Sequence, residues 1–354
     1  MAIPDVLRSL LTAPGPSGYE KEAARVFADA AAGFASSVAT DTMGSTVARV
    51  DGTADDGLLL AVIGHIDEIG VLISHIDDKG FLWFVGVGGW DPVILVGQRV
   101  ELLTAGGRIP GVVGKKPIHL LEGDERKKAP ELKDLHIDIG ARDADEARSM
   151  VRVGDVAVIA GEPVELPNDR VVSRSMDNRL GAFVALEAAR LVAEADGGAP
   201  GPVCAVGAVQ EEINLSGAGT TAFSLAPDVA IVVDVTFETS QPGIDPKTLG
   251  EAKFGSGPAI GRGSTLHPAV FDRLVDAAEA ASIPYTISPS ARFTGTDADA
   301  VHLSRGGIPT GVVSIPLRHM HSPVEMVQLD DVTNVARLIA EFARRLEPGT
   351  SFTR

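Results

Sequence analysis

The chain contains 354 residues, of which 45% are hydrophobic and 22% are charged, as is ordinary for a folded globular protein. Its formal net charge of -17 disfavours nucleic acids and anionic membranes as partners, because both need basic patches, and it suits a protein that collects cations. Because 354 residues are many for one hydrophobic core, we expect two domains or one domain with a large insertion.

Cysteine usage and hydropathy predict a cellular location. Cys204 is the only cysteine, so no disulfide can form within the chain and a reducing compartment is expected. The opening MAIPDVLRSLLTAPGPSGYE lacks the basic and apolar regions of a secretory signal. Apolar runs such as LLLAVIG, from Leu58, are too short to span a bilayer. We therefore predict a cytoplasmic protein.

The N-terminal part predicts helices followed by strands. Residues 5–11 predict a short amphipathic helix, and Ser17 and Glu20 form an S-x-x-E capping-box pattern that opens a second helix running to about Ala32. STVARV predicts a strand. GLLLAVIGHIDEIGVLISHID, from residue 57, is unbroken enough to predict a strand at the centre of a sheet.

The middle of the chain has a different composition. From residue 80 to about 169, glycine and β-branched residues dominate, as in GFLWFVGVGGWDPVILVGQRVEL and DVAVIAGEPVEL. This composition is typical of short strands joined by tight turns, and the charged stretch EGDERKKAPELKDL predicts an exposed loop or short helix. We expect an inserted β-rich domain over residues 67–169, interrupting a domain made of residues 1–66 and 170–354.

Strands and helices alternate in the C-terminal part, which predicts an α/β domain with a mixed, mostly parallel sheet. The predicted order is helix NRLGAFVALEAARLVAEA, the strand from Val203, strand VAIVVDV, helix PAVFDRLVDAAEAAS, strand YTISPS, a helix around TDADAVHLSRG, strand TGVVSIP and helix DDVTNVARLIAEFARRLE.

Acids and histidines fall at five strand ends or loop starts of this domain, where α/β sheets collect their sites. They are His65 with Asp67, Asp177, the pair Glu211 and Glu212, Asp234, and His321. A single histidine near a strand end is more often a satisfied core residue, and an adjacent glutamate pair is usually a pair of surface acids. The coincidence across five strand ends favours a shared site.

Two divalent cations would satisfy this set of charges. The charges of the cations would be balanced by the carboxylates of Asp177, Glu212 and Asp234 and by a bridging hydroxide, and two neutral histidines would complete the ligand set. Such a pair of ions can activate a water and polarise a carbonyl. Glu211 is then free to act as a general base. Asp67, or a carboxylate from another strand, would orient His65. Both glutamates can reach the site only if the backbone leaves strand geometry, and INLSGAG predicts a turn there.

The motifs GHIDEIG, GVGGWDP, VGQRV, KPIHLL, ERKKAPELKDLHIDIGA, SMDNRLG, VQEEI and HSPVEMV occur in an order that resembles the M42 metallopeptidases, co-catalytic aminopeptidases that include the tetrahedral aminopeptidases. The resemblance implies a zinc-peptidase-like three-layer α/β fold with an inserted, barrel-like dimerisation domain. It implies His65, Asp177 and Asp234 on one ion, and Asp177, Glu212 and His321 on the other. It also implies Glu211 as the base, Asp67 as the residue that orients His65, and a cis bond between Asp177 and Asn178.

Two departures from the family pattern concern substrate preference. VTFETSQPGID follows Asp234, and Ser216 stands where the family often has an arginine. The segment SARFTGTDADA resembles one that lines the family's substrate pocket. There Arg292 would attract an acidic side chain, Phe293 an apolar one and Asp297 a basic one. A helix start capped by Thr296 or Asp297 is an equally good reading.

The resulting prediction is a cytoplasmic aminopeptidase with two zinc or cobalt ions per subunit, acting on short peptides. The resemblance implies a homo-oligomer built from dimers, up to a tetrahedral dodecamer. A related metal-dependent deacylase or carboxypeptidase is the alternative, and a glycosidase fits poorly because two adjacent glutamates do not flank a sugar bond. A binding protein without catalysis predicts a missing ligand, and none is missing.

Overall fold

The structure, a computed structural model, describes residues 2–353. The chain begins with two helices and three strands of the large sheet. These elements are α1 (Asp5–Thr12), α2 (Lys21–Ala31), β1 (Ser37–Thr40), β2 (Thr46–Val50) and β3 (Leu60–His65).

The following segment forms a closed six-stranded barrel with strand order β4-β5-β8-β7-β6-β9 and antiparallel pairing throughout. Its elements are β4 (Gly70–Ile76), β5 (Leu82–Val87), α3 (Pro92–Leu95), β6 (Arg99–Thr104), β7 (Gly107–Lys115), β8 (Leu135–Asp138), α4 (Ala144–Met150) and β9 (Val156–Ile159). Its own buried core includes Ile73, Leu82, Leu102 and Ile137. The charged stretch between β7 and β8 is exposed and holds short 3₁₀ turns, as predicted.

The rest of the chain returns to alternating strands and helices. Its elements are β10 (Val164–Leu166), β11 (Arg170–Ser173), α5 (Met176–Glu194), β12 (Val203–Ala208), α6 (Glu211–Asn214), α7 (Ser216–Leu225), β13 (Val229–Phe237), α8 (Pro246–Leu249), β14 (Ala259–Gly263), α9 (Pro268–Ala280), β15 (Thr286–Ser290), α10 (Ala298–Val301), β16 (Thr310–Leu317), β17 (Glu325–Gln328) and α11 (Leu329–Arg344).

The large sheet has eight strands in the order β1-β2-β12-β3-β13-β16-β14-β15. Its four central strands run parallel, and antiparallel pairs join them to the outer strands. Helices α1, α2, α5, α9 and α11 pack on one face, and α7 and α10 pack on the other. The strands β3, β12 and β16 are buried along their whole length, as expected for a sheet covered on both faces. The predicted three-layer α/β fold with a β-barrel is confirmed.

Three local predictions were wrong. Residues 57–77 form two strands and not one, because the chain turns between them at 66–69: β3 lies at the centre of the large sheet, as predicted, and β4 lies in the barrel. The helix α2 begins at Lys21 without a side-chain cap, since Ser17 donates to Asp67 instead. The glycine-rich stretch after the glutamate pair is helical (α6 and α7) and not a simple turn. Within residues 2–353, no helix combines the length and apolar character needed to cross a bilayer.

Candidate metal centre

The candidate site lies where the central parallel strands end. His65 is the last residue of β3 and pairs in register with Ala208, the last residue of β12. Asp234 lies in β13 beside Ser314 of β16. Strand ends of an open α/β sheet leave a crevice at this edge, so side chains from distant parts of the chain meet there.

The helix α5 brings Asp177 to the same edge. It approaches β3 closely at Gly64, where an added Cβ would lie 2.2 Å from the carbonyl carbon of Gly181. Asn178 ties the start of the helix to β13, since its Nδ2 donates to the carbonyl of Val233 at 2.8 Å. The peptide bond between Asp177 and Asn178 is cis, as the resemblance implies.

Both histidines contact Asp177, each at a different carboxylate oxygen. His65 Nε2 lies 3.3 Å from Oδ1, and His321 Nε2 lies 3.4 Å from Oδ2. His321 Nε2 also lies 3.4 Å from Glu212 Oε1, and His65 Nε2 lies 3.7 Å from Glu211 Oε2. A carboxylate that faces one histidine with each oxygen has the arrangement that a bridging ligand needs.

In the described part of the chain, potential ligand atoms form two groups, and the atoms within each group lie within 4.8 Å of one another. One group is His65, Asp177 and Glu212, and the other is His65, Glu211 and Asp234. The structure thus brings the side chains singled out in the sequence to one place. Glu211, which the sequence predicts to stay free of metal, belongs to the second group, and its Oε2 lies 3.7 Å from His65 Nε2.

The electrostatics of this place fit bound cations. Burial, with the nearby charge of Asp177, raises the pKa of Asp234 well above its ordinary value. Contacts with Asp177 and Glu212 raise the pKa of His321 to about 11, so the pocket strongly favours positive charge. Oε1 of Glu212 is buried and faces His321 Nε2 at 3.4 Å, without the geometry of a hydrogen bond. Imidazole nitrogens and carboxylate oxygens suit metals such as zinc and cobalt, so the donor set fits a divalent metal.

A loop of the barrel fixes the orientation of His321. Its Nδ1 lies 2.8 Å from the carbonyl oxygen of Gly89, between β5 and α3. With the proton on Nδ1, this contact is a hydrogen bond that leaves Nε2 facing Asp177 and Glu212. The barrel therefore contributes directly to the site.

Asp67 supports three parts of the site at once. It is fully buried, and its Oδ1 lies 3.4 Å from His65 Nδ1. The same carboxylate accepts the backbone N–H groups of Glu211 at 3.0 Å and Glu212 at 3.1 Å. The Ser17 hydroxyl donates to its Oδ2 at 2.6 Å. Asp67 therefore holds the start of α6 as well as His65.

The turn into α6 explains how both glutamates reach the site. The strand β12 ends at Ala208, and Gln210 has a positive φ of 59°. The N–H of Gln210 donates to Glu20 Oε1 at 3.1 Å, just before the two N–H groups held by Asp67. Sequence reasoning missed this role of Glu20, because an S-x-x-E pattern indicates a helix cap and carries no sign of a contact 190 residues away.

A buried ion cluster lies behind the site. Glu68 pairs with Arg174 and Arg179, and its Oε1 accepts the N–H of Gly15 at 3.0 Å. Arg179 is fully buried, and burial lowers its pKa to about 10, so it stays charged at neutral pH. This cluster ties the segment before α2 to the residues on either side of Asp177.

The predicted substrate-pocket residues divide into two groups. Arg292 is exposed and Phe293 is 79% exposed. Thr296 and Asp297 are buried, and both carboxylate oxygens of Asp297 lack a hydrogen-bond partner among the described residues. The charge of Asp297 is close enough to raise the pKa of Glu211. The structure thus places the buried carboxylate of Asp297 near Glu211.

Comparison with known proteins identifies the family. The family model described as M42 glutamyl aminopeptidase matches residues 44–338. The chain belongs to the M42 peptidase family. A putative aminopeptidase of Acetivibrio thermocellus is 38% identical to this M42 chain over 340 residues, covering 95% of this chain and 97% of that protein. A lysyl aminopeptidase of Pyrococcus furiosus is 33% identical over 347 residues, covering 97% of each.

Solved structures agree with this M42 assignment. A TET aminopeptidase from a marine sediment archaeon of the Thaumarchaeota is 35% identical, with a TM-score of 0.91 over 97% of this chain and 96% of that one. The TET1 peptidase of Pyrococcus horikoshii, which can assemble into a tetrahedron or a large octahedral shell, is 31% identical, with a TM-score of 0.84 over 97% and 99%.

The family settles the class of reaction. The predicted hydrolase activity, that of a metal-dependent aminopeptidase, is confirmed by the family and its relatives. The alternatives, a deacylase, a carboxypeptidase or a glycosidase, are not favoured.

Proposed function

We propose that five side chains of this aminopeptidase hold two divalent cations, zinc or cobalt. His65, Asp177 and Asp234 would hold one ion, and Asp177, Glu212 and His321 the other. The observation that carries the proposal is that Asp177 faces one histidine with each of its oxygens, at 3.3 and 3.4 Å. A shared carboxylate between two ion positions gives this arrangement.

The chain's own residues then divide the work of peptide hydrolysis. When bound by these residues, two such cations would supply an activated water and a polarised carbonyl of the scissile amide. Glu211 takes the proton from the water and delivers it to the leaving amine. Burial, together with the charge of Asp234, raises the pKa of Glu211 to about 9. Cations bound beside it would lower that pKa towards the range of a general base at neutral pH. Asp67 keeps Glu211 and His65 in place.

The substrates are short peptides with a free N-terminus. A buried ammonium group needs acceptors, and the site offers several carboxylates. We propose that the side chain of the first residue enters a pocket lined by the segment from Arg292 to Asp297, including Phe293 and Thr296. The buried, unpartnered carboxylate of Asp297 supports a place for a positive group on this wall.

Paired substrates and a matched variant test this function. The protein should cleave amino-acid p-nitroanilides with a free amino group and not their N-acetylated forms, and chelation should stop it. Glu211→Gln should keep bound metal but lose turnover by about 10²–10⁴-fold, because the base is gone. Glu251→Gln, which changes a carboxylate that is 67% exposed, is the control and should keep parent activity. Near-parent turnover of Glu211→Gln would assign the base to another group.

We also propose that the inserted domain, residues 67–169, forms the dimer contact of a homo-oligomer, and that dimers assemble further, up to a tetrahedral dodecamer. Apolar side chains are exposed on this domain, including Val85, Val112, Ile118 and Leu120. The assembly described for the P. horikoshii relative supports a closed particle. A solution mass near twelve times 36.7 kDa would agree, and a monomer at micromolar concentration would not. A cytoplasmic location remains a prediction.

A further inference from the structure

Glu325 connects the backbones of two proposed ligands. It is the first residue of β17, and it is only 2% exposed. Its Oε2 accepts the N–H of Asp177 at 3.1 Å, and its Oε1 accepts the N–H of His321 at 2.8 Å. Asp177 and His321 are 144 positions apart in the chain, so this side chain sets their spacing through direct hydrogen bonds.

The backbone around Glu325 makes this connection rigid. On one side, β17 pairs with β11 so that Glu325 lies opposite Ser173, shortly before Asp177. On the other side, Arg318 and Met326 exchange two backbone hydrogen bonds at 3.0 Å, which closes the loop that carries His321. Within that loop His321 has a positive φ of 58°. A non-glycine residue holds this conformation only when its surroundings fix it, and the N–H bonded to Glu325 belongs to that residue.

We propose that Glu325 is a positioning residue for metal binding, which holds the bridging ligand Asp177 and the terminal ligand His321 at the spacing that the cations require. It is the counterpart of Asp67, which holds the backbones of Glu211 and Glu212 in the same way. One buried carboxylate thus serves each side of the site. This inference rests on the proposed two-cation centre.

The chemistry of the two N–H groups predicts which substitutions fail. Both oxygens of Glu325 act as acceptors, so a glutamine can satisfy only one of the two N–H groups and turns a donor towards the other. An aspartate keeps the charge but is one methylene too short to reach both. Mutating a residue that does not bind the metal but hydrogen-bonds to its ligands typically lowers metal affinity by about 10–100-fold. We expect Glu325→Gln to weaken zinc binding by that factor.

Asp331 offers a matched control. It is fully buried, and its two oxygens also accept two backbone N–H groups, those of Gly255 and Gly257, at 2.8 and 2.9 Å. These contacts involve no proposed ligand. Asp331→Asn should therefore lower stability, as any loss of a buried acceptor does, and leave zinc affinity unchanged.

The test is zinc titration of the metal-stripped, full-length protein against a chromogenic chelator, with unfolding followed in parallel. The parent should bind two zinc ions, Glu325→Gln should bind at least one of them about 10–100-fold more weakly, and Asp331→Asn should bind both as the parent does. Parent-like affinity in Glu325→Gln, or equal weakening in both variants, would overturn the proposal.

Glu325→Asp keeps the test decisive if Glu325→Gln does not fold. Weakened zinc binding by folded Glu325→Asp would support the positioning role, and parent-like binding would overturn it. If the parent itself binds fewer than two zinc ions, the two-cation centre fails first, and the inference about Glu325 falls with it.

Discussion

Replacing Glu68 by glutamine should destabilise the protein strongly, because Glu68 is the partner of two buried arginines. Arg179 has no exposed side-chain surface and Arg174 has 9%. Glu68→Gln removes the negative charge, so both buried guanidinium groups lose their ion-pair partner and keep only uncharged partners such as the backbone carbonyls of Leu10, Thr12 and Ala13. Breaking a buried ion pair by removing one partner costs about 3–5 kcal/mol.

This cost predicts a measurable change in melting temperature. At about 2.1 cal/mol/K per residue, 354 residues give an unfolding entropy of about 0.74 kcal/mol/K. A loss of about 3–5 kcal/mol therefore lowers Tm by about 4–7 °C. Thermal unfolding followed by circular dichroism, at one protein concentration, would measure it.

An exposed ion pair provides the control for this experiment. Glu251 lies 3.6 Å from Lys253, and both side chains are more than half exposed. Glu251→Gln should cost less than about 1 kcal/mol, as is usual for surface pairs. If Glu68→Gln melts within about 1 °C of the parent, as that control should, the two buried arginines do not depend on Glu68, and the account of the cluster is wrong.

Two further predictions concern the residues that hold the start of α6. Asp67→Asn keeps only one acceptor oxygen for His65 and for the N–H groups of Glu211 and Glu212. We therefore expect kcat to fall and zinc affinity to weaken by about 10–100-fold. A parent-like kcat would refute the positioning role of Asp67. Burial raises the pKa of Glu20 from 4.5 to about 7, so in metal-stripped protein the folded state holds this proton more tightly than the unfolded state. Stability should therefore fall as pH rises from about 4.5 to 7, by about 3 kcal/mol at about 1.4 kcal/mol per pH unit. Glu20→Gln should remove this part of the pH dependence in urea unfolding at pH 5 and pH 8, and an unchanged difference between the two pH values would contradict it.

The sequence predicted those parts of the protein that local patterns encode. The strand from Val203, the helix after Asp177 and the β-rich middle segment all have periodicities or compositions that depend on near neighbours. The candidate ligands were singled out because buried strands that end in acids or histidines place these side chains at one edge of a parallel sheet. The structure brings them together there.

The supporting contacts could not be predicted in this way. Ser17 and Asp67 are 50 positions apart, and Glu20 and Gln210 are 190 apart, so no local pattern records their hydrogen bonds. The S-x-x-E pattern even suggested a competing use of Ser17 as a helix cap. Glu325 lies in the motif HSPVEMV, but the sequence of that motif does not indicate that its side chain accepts two backbone N–H groups.

Anomalous diffraction at the zinc edge, from crystals of the zinc-loaded protein, tests the central claim most directly. We expect two peaks about 3.5–4 Å apart, with Asp177 between them, His65 and Asp234 at one peak, and Glu212 and His321 at the other. A single peak, or zinc bound away from Asp177, would contradict it.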